Sequence, residues 1–297
     1  MTPQPLLLQV IGLQRSGNHA VIQWLRSLYP ATEHMNDIPH RAAGNPQRIA
    51  TIRGLAGKDC VILSHEDSGN RITPGVRLLD NVLLALPEDY PGFRLDVLYI
   101  LRDPYNCWAS RARAHDGEGI TSSSEVEPFI ADWLDLAALC RAHPERFVLY
   151  NTWFRDADYR RAICARLGGD YAEATLNEVV STGGGSSFDG YVRPSYRQIL
   201  ANPGAYLSRR FVDRLRSDPG AYLRRLLTPK PSGRKLLVET RWEYLLAHRS
   251  ADRLFGDDAL RQASEAIFGF SVDRTGRMHR PAGTADDTTD GVPAAAS

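Results

Sequence analysis

Apolar residues fall into short unbroken runs separated by longer stretches at helical spacing. Leu6, Leu7, Leu8, Val10 and Ile11 form the first run, long enough for one buried strand. Gly12 to His19 interrupts it, and Ala20, Val21, Trp24, Leu25 and Leu28 resume the apolar pattern with the period of a helix. The segment therefore reads strand, glycine-bearing turn, helix. Ala31 to Ile38 reads as a short strand. Cys60 to Ser64 reads as a buried strand ending in His65, Glu66 and Asp67. Leu95, Val97, Leu98, Tyr99, Ile100 and Leu101 make another, and Phe147 to Tyr150 the next. Between them lie helical stripes: Leu78, Leu79, Val82, Leu83 and Leu86, flanked by Pro74 and Pro87, and then Ile130, Trp133, Leu134, Ala137, Ala138 and Leu139. A further helix is expected from Tyr159 to Leu167, ended by Gly168 and Gly169. Buried strands alternating with helices predict an α/β fold built on a parallel sheet.

The rest of the pattern is punctuation. Residues His40 to Lys58 carry Gly, Pro and Arg and read as loop with a helical turn or two. Residues 112–128 are polar, acidic and rich in Gly and Ser, a loop that could order over a ligand or lie idle on the surface. Thr182 to Phe188 reads as a linker, with a closing loop as its alternative. Beyond it, Asn202-Pro203-Gly204-Ala205-Tyr206-Leu207 recurs sixteen residues later as Asp218-Pro219-Gly220-Ala221-Tyr222-Leu223, two helix starts with Pro at the first position. Arginines 209, 210, 214, 216, 224 and 225 surround them, a solvated face or a landing site for a polyanion. Leu236 to Phe270 is expected to be largely helical. The organisation expected is one α/β domain over residues 1–276, with a helical elaboration over about 190–276 and a disordered tail from 277 to 297.

Charge narrows the partners. The 36 basic and 35 acidic residues nearly cancel, so no global field argues for nucleic acid or a membrane surface. Only Lys58, Lys230 and Lys235 are lysines, which leaves Arg as the cation available for anions, although genome composition is the better default account of the bias. Cys60, Cys107, Cys140 and Cys164 show no metal or redox spacing and sit in apolar contexts, so buried free thiols are expected and no metal. No basic region precedes the first apolar run and no span of about 20 apolar residues occurs, so a cytoplasmic protein without membrane insertion is expected.

The chemistry is concentrated in the first turn. Such a turn aims the first N–H groups of a helix, and the positive end of its dipole, at whatever sits above the strand's carboxyl end. Gly17 permits close approach of a phosphate, Ser16 and Asn18 bring donors, and Arg15 brings a planar cation. A Walker A loop needs Gly, four residues, then Gly-Lys-Ser/Thr, and here Asn18 and His19 stand where the Lys and the Mg²⁺-binding hydroxyl belong. A second element follows the strand ending at Leu101: Arg102, Asp103 as an N-cap, Pro104 as first helical residue, and Ser110 eight positions after Arg102.

Leu13-Gln14-Arg15-Ser16-Gly17-Asn18-His19 resembles the 5′-phosphosulfate loop of sulfotransferases that use 3′-phosphoadenosine 5′-phosphosulfate (PAPS). Arg102 and Ser110 are similar, in type and spacing, to that family's 3′-phosphate element. The resemblance implies a three-layer parallel sheet of P-loop nucleotide-binding type. It also implies PAPS as donor, held by Arg15, Ser16, Gly17, Asn18, His19, Arg102 and Ser110, with Tyr150 near the adenine. Ser64-His65 looks like the family's strand-end catalytic histidine, and Glu66 is the competing base, since some members use a carboxylate. The family's adenine-stacking Trp, its Tyr-Glu-Asp-Leu segment and its Arg-Lys-Gly signature are absent here. Arg15 stands where cytosolic members have Lys, which implies electrostatic stabilisation of the leaving oxygen rather than proton donation. The acceptor implied is a hydroxyl or amine compound, possible classes including carbohydrates. Two rivals stay open: a P-loop kinase or nucleotide hydrolase, and a catalytically inactive binder of nucleotides or anions.

Overall fold

The computed structural model describes residues 4–36, 51–52, 54–55, 57–67, 92–116, 126–173 and 240–280. Its centre is a five-stranded parallel sheet of β1 (Leu6–Gly12), β2 (Thr32–Met35), β3 (Cys60–Glu66), β4 (Arg94–Leu101) and β5 (Phe147–Leu149) in the order β2-β3-β1-β4-β5. This order is consistent with P-loop and Rossmann-like sheets. β1 lies in the middle, buried along its whole length, which is why its sequence is a near-continuous apolar run rather than an alternating one.

Period-two alternation distributes the side chains of the sheet between two faces. Leu6, Leu8, Val10, Cys60, Ile62, Leu98 and Ile100 meet α1 (Asn18–Ser27) through Val21, Ile22, Trp24, Leu25 and Leu28. The same face receives α4 (Tyr150–Arg155) and α5 (Ala157–Leu167). Ile11, Tyr99 and Leu101 face α2 (Pro104–Asp116) and α3 (Val126–Ala142), where Trp108, Phe129 and Trp133 are fully buried. A 3₁₀ segment at Arg241–Ala247, α6 (Ala251–Phe255) and α7 (Asp258–Phe268) complete that second layer. They are held in part by Trp108 Nε1 donating to Ser250 Oγ at 2.7 Å and by the Trp242 N–H donating to Asn106 Oδ1 at 3.0 Å.

The topology places the site. The chain leaves β1 toward β2 at one edge, and leaves β3 toward β4 on the opposite side of β1. Connections that depart in opposite directions from adjacent strands open a crevice above their carboxyl ends. The turn after β1 and the residues after β3 meet there, with Gly12 in register with Glu66.

Several boundaries differ from the sequence reading, among them that of β2, which ends at Met35. β3 runs on through His65 to Glu66, because its ladder with β1 continues that far. Tyr150 opens α4 instead of closing β5. The chain past Arg277 is not all tail: β7 (Met278–His279) pairs antiparallel with β6 (Ser271–Val272). The helical stripe at 78–86, the linker at 182–188, the repeated helix starts and the arginine cluster at 209–225 lie outside the described residues. All four cysteines are buried and free, and burial pushes the Cys60 and Cys107 thiols up to about 12, which makes them inert at neutral pH. Among the described residues no helix is long and apolar enough to cross a membrane.

Candidate functional site

The turn after β1 is built around two residues in the left-handed region, Arg15 at φ 73° and Gly17 at φ 95°. The Ser16 N–H donates to the Leu13 carbonyl at 3.1 Å, and Ser16 Oγ donates to the same oxygen. Gly17 caps α1 without a side chain, and no acidic residue stands in the first turn. Two other helices, α5 and α7, carry a side-chain cap: Asp156 accepts from the Asp158 and Tyr159 N–H groups, and Asp257 from the Leu260 N–H. The bare, dipole-positive start of α1 is thus turned toward the crevice with no side-chain acceptor of its own. Gly17 is required twice over, since a Cβ there would also lie 2.2 Å from the Tyr150 ring.

Neighbouring elements fix this turn from several sides. From β3, Asp67 Oδ1 accepts the Gln14 N–H at 3.0 Å while its other oxygen pairs with Arg111 on α2. Both partners are nearly fully buried, and the Arg111 guanidinium lies 5.3 Å from the Phe129 ring centre and 6.0 Å from that of Trp108. From α2, Cys107 Sγ donates to the Gln14 carbonyl at 3.7 Å. From the end of β4, Arg102 Nη1 reaches the Arg15 carbonyl at 3.4 Å. The Arg102 guanidinium stands 5.1 Å over the Tyr150 ring, and its backbone carbonyl accepts from Trp133 Nε1 at 2.8 Å. Asp103 behaves as the sequence predicts: Oδ1 accepts the Asn106 N–H at 2.8 Å and so caps α2, which starts at Pro104. Its Oδ2 accepts from Asn151 Nδ2 at 2.9 Å, joining α2 to α4.

The carboxylate end of the crevice is formed by Glu66. Asn18 Nδ2 donates to Glu66 Oε1 at 2.9 Å and to the Leu13 carbonyl at 3.1 Å, and His19 Nε2 lies 3.9 Å from the same Glu66 oxygen. Burial raises the Glu66 carboxyl above its ordinary value, against the opposing pull of His19 and of the Asn18 hydrogen bond. His65, one residue earlier in the same strand, alternates to the other face with Val61 and Leu63 and is 2% exposed. The two residues expected to compete for one role therefore occupy opposite sides of the sheet, and Glu66 is hydrogen-bonded to the turn.

The structure brings Arg15, Ser16, Gly17, Asn18, His19, Glu66, Arg102 and Tyr150 together. Ser110 is buried on α2, one helical turn beyond Cys107 and next to Arg111. Tyr150 is nearer the turn than expected, with its ring against Gly17 and stacked 5.7 Å from Trp153. Sequence reasoning missed Arg111, although a charged residue at the spacing of buried Trp108 and Ala112 is the available signal. It also missed a hydrogen-bonded group beside the crevice, where His34 Nε2 meets Ser64 Oγ at 2.7 Å and Ser64 donates to Asn36 Oδ1 at 3.0 Å. No cluster of three or more metal-ligating side chains occurs among the described residues.

The class defined by this fold and site is a parallel α/β protein with a glycine-bearing turn at the sheet's switch point. Comparison with protein-family models, curated proteins and solved structures gives no match.

Proposed function

We propose that this protein is a PAPS-dependent sulfotransferase on a P-loop-type sheet, moving a sulfuryl group to a hydroxyl acceptor and leaving adenosine 3′,5′-diphosphate. The observation that carries the reading is the approach of Arg102 to the turn: the β4 cation lies 3.4 Å from the Arg15 carbonyl, so the two predicted anion-binding elements form one corner. A donor with phosphate groups at both ends of a ribose needs such a pair of adjoining cationic elements.

The step is an in-line displacement. The acceptor oxygen bonds to sulfur as the bridging S–O bond breaks, the electron pair of that bond stays on the 5′-phosphate oxygen, and the acceptor proton passes to a base. Arg15 and the N–H groups opening α1 stabilise the charge gathering on the departing oxygen. Glu66 is the base favoured by position, and burial raises its proton affinity. Arg102 and Ser110 hold the 3′-phosphate. Asn18 and His19 replace the Lys and hydroxyl that an Mg²⁺-ATP site requires, which weighs against a kinase or hydrolase.

Titration calorimetry with adenosine 3′,5′-diphosphate in EDTA, set against ATP with Mg²⁺, tests the donor class. Preference for ATP with Mg²⁺ overturns the reading. Transfer of label from ³⁵S-PAPS to a panel of hydroxyl acceptors tests the reaction, and binding without transfer to any acceptor would mark an inactive member of the fold.

A further inference from the structure

In a Gly-x-x-x-x-Gly-Lys-Ser/Thr loop, the Ser/Thr hydroxyl and a carboxylate from a nearby strand hold Mg²⁺, which screens that carboxylate from the phosphates. This chain keeps the spacing from Gly12 to Gly17, and the register of β1 with β3 puts Glu66 beside Gly12. The residue in the hydroxyl position is His19. Its Nε2 is 3.9 Å from Glu66 Oε1, the oxygen that also accepts from Asn18 Nδ2 at 2.9 Å. An anion arriving at the start of α1 therefore meets a carboxylate at close range, and two like charges in a half-buried crevice repel unless a cation stands between them.

We propose that the His19 side chain, 3.9 Å from Glu66 Oε1, takes the place of the metal ion as the cation between the Glu66 carboxylate and the bound anion. The inference rests on the reading of the turn as a nucleotide-phosphate site. Among the charges around Glu66, His19 acts more strongly than Asp67 or Arg15. Asp67 is committed to Gln14 and Arg111. His19 is one-quarter exposed, open enough to meet a ligand, whereas Asn18 is buried beneath it. Glu66 thus has two partners with separate tasks: Asn18 anchors its carboxylate to the turn, and His19 neutralises it toward the ligand.

The test is a double-mutant cycle read as affinity for adenosine 3′,5′-diphosphate, by calorimetry in EDTA, on the full chain. His19→Ala leaves the carboxylate facing the anion and is expected to weaken binding by about tenfold or more. Glu66→Gln keeps a group for Asn18 to bond and removes the repulsion, so affinity is expected to hold or rise. In His19→Ala/Glu66→Gln the loss is expected to be largely recovered, a coupling of opposite sign to that of two merely structural residues. Unchanged affinity in His19→Ala, or a double variant as weak as His19→Ala, overturns the proposal. So does wild-type binding that appears only when Mg²⁺ is added. If wild type ignores adenosine 3′,5′-diphosphate but binds inorganic pyrophosphate in EDTA, the donor reading fails, and the same cycle run with pyrophosphate decides the role of His19 separately.

Discussion

Arg15 and Gly17 share the left-handed region of backbone space, and only one of them is glycine. A side chain there costs about 1–2 kcal/mol, so the chain sustains strain at Arg15. Arg15→Ala is expected to lower turnover by about 10²–10³, the scale of removing one transition-state charge partner, with acceptor KM nearly unchanged. Steady-state kinetics decides this, and unaltered turnover removes Arg15 from the reaction. Gly17→Ala combines backbone strain with overlap on the Tyr150 ring and is expected to cost about 2–4 kcal/mol in urea unfolding. Glu66 carries a pH signature. Its carboxyl is raised in the folded chain, so below about 4.5, its ordinary value, the folded and unfolded forms both hold the proton. Stability then falls as pH rises through the folded value, because the unfolded chain releases the proton first. Glu66→Gln is expected to raise the thermal midpoint at pH 7–8 and to lose that advantage below about pH 4.5, while turnover collapses. A gain independent of pH would refute the burial account. These residues were legible as a set because a glycine turn between an apolar run and a helix has few other uses. The choice between His65 and Glu66 was not settled by the motif. Once β3 is known to run to Glu66, alternation alone assigns them to opposite faces.

Elements were easier to read than their ends. β1, α1, β4, α2, α3 and α5 lie where periodicity and caps put them, because buried runs, Asp103-Pro104 and Gly168-Gly169 are local signals. β3 extends past its apolar residues because strand pairing with β1, not hydrophobicity, carries it to the crevice. The Asp67–Arg111 link was hidden for a related reason. It joins residues 44 positions apart whose meeting depends on how α2 lies across the sheet. The pair ties β3, the turn at Gln14 and α2 into one unit. Arg111→Ala strands a buried carboxylate and is expected to destabilise by about 3–5 kcal/mol, read by urea unfolding. Asp67→Asn keeps an acceptor for the Gln14 N–H, yet it too strands a buried charge, so its cost should be comparable. A loss below about 1 kcal/mol in both would mean that water satisfies these groups.

Across the whole molecule, the strand order β2-β3-β1-β4-β5 could not be deduced from the strands themselves, since each is compatible with several neighbours. The order matters because it sets the turn of β1 beside the end of β3, with Arg102 of β4 on the other flank. A ligand joining all three should hold the sheet's upper edge together. Adenosine 3′,5′-diphosphate at about 100 times its Kd is expected to add about 2.7 kcal/mol of stability, a rise of about 5 °C or more in Tm, with no help from Mg²⁺. A rise seen only with Mg²⁺ and ATP would reverse the functional reading.

The opposite end of α1 carries a different consequence. Trp24 Nε1 donates to the Ala172 carbonyl at 2.9 Å, the Tyr29 hydroxyl to that of Leu167 at 2.9 Å, and the Asp170 N–H to that of Leu28 at 2.8 Å. Gly169 comes so close that a methyl group there would sit 2.8 Å from the Leu28 Cβ. The helix that follows the glycine turn is moored by residues made some 140 positions later. During synthesis, a ribosome that has released only the first strands holds a helix without these moorings, which close only after Ala172 has emerged from the exit tunnel.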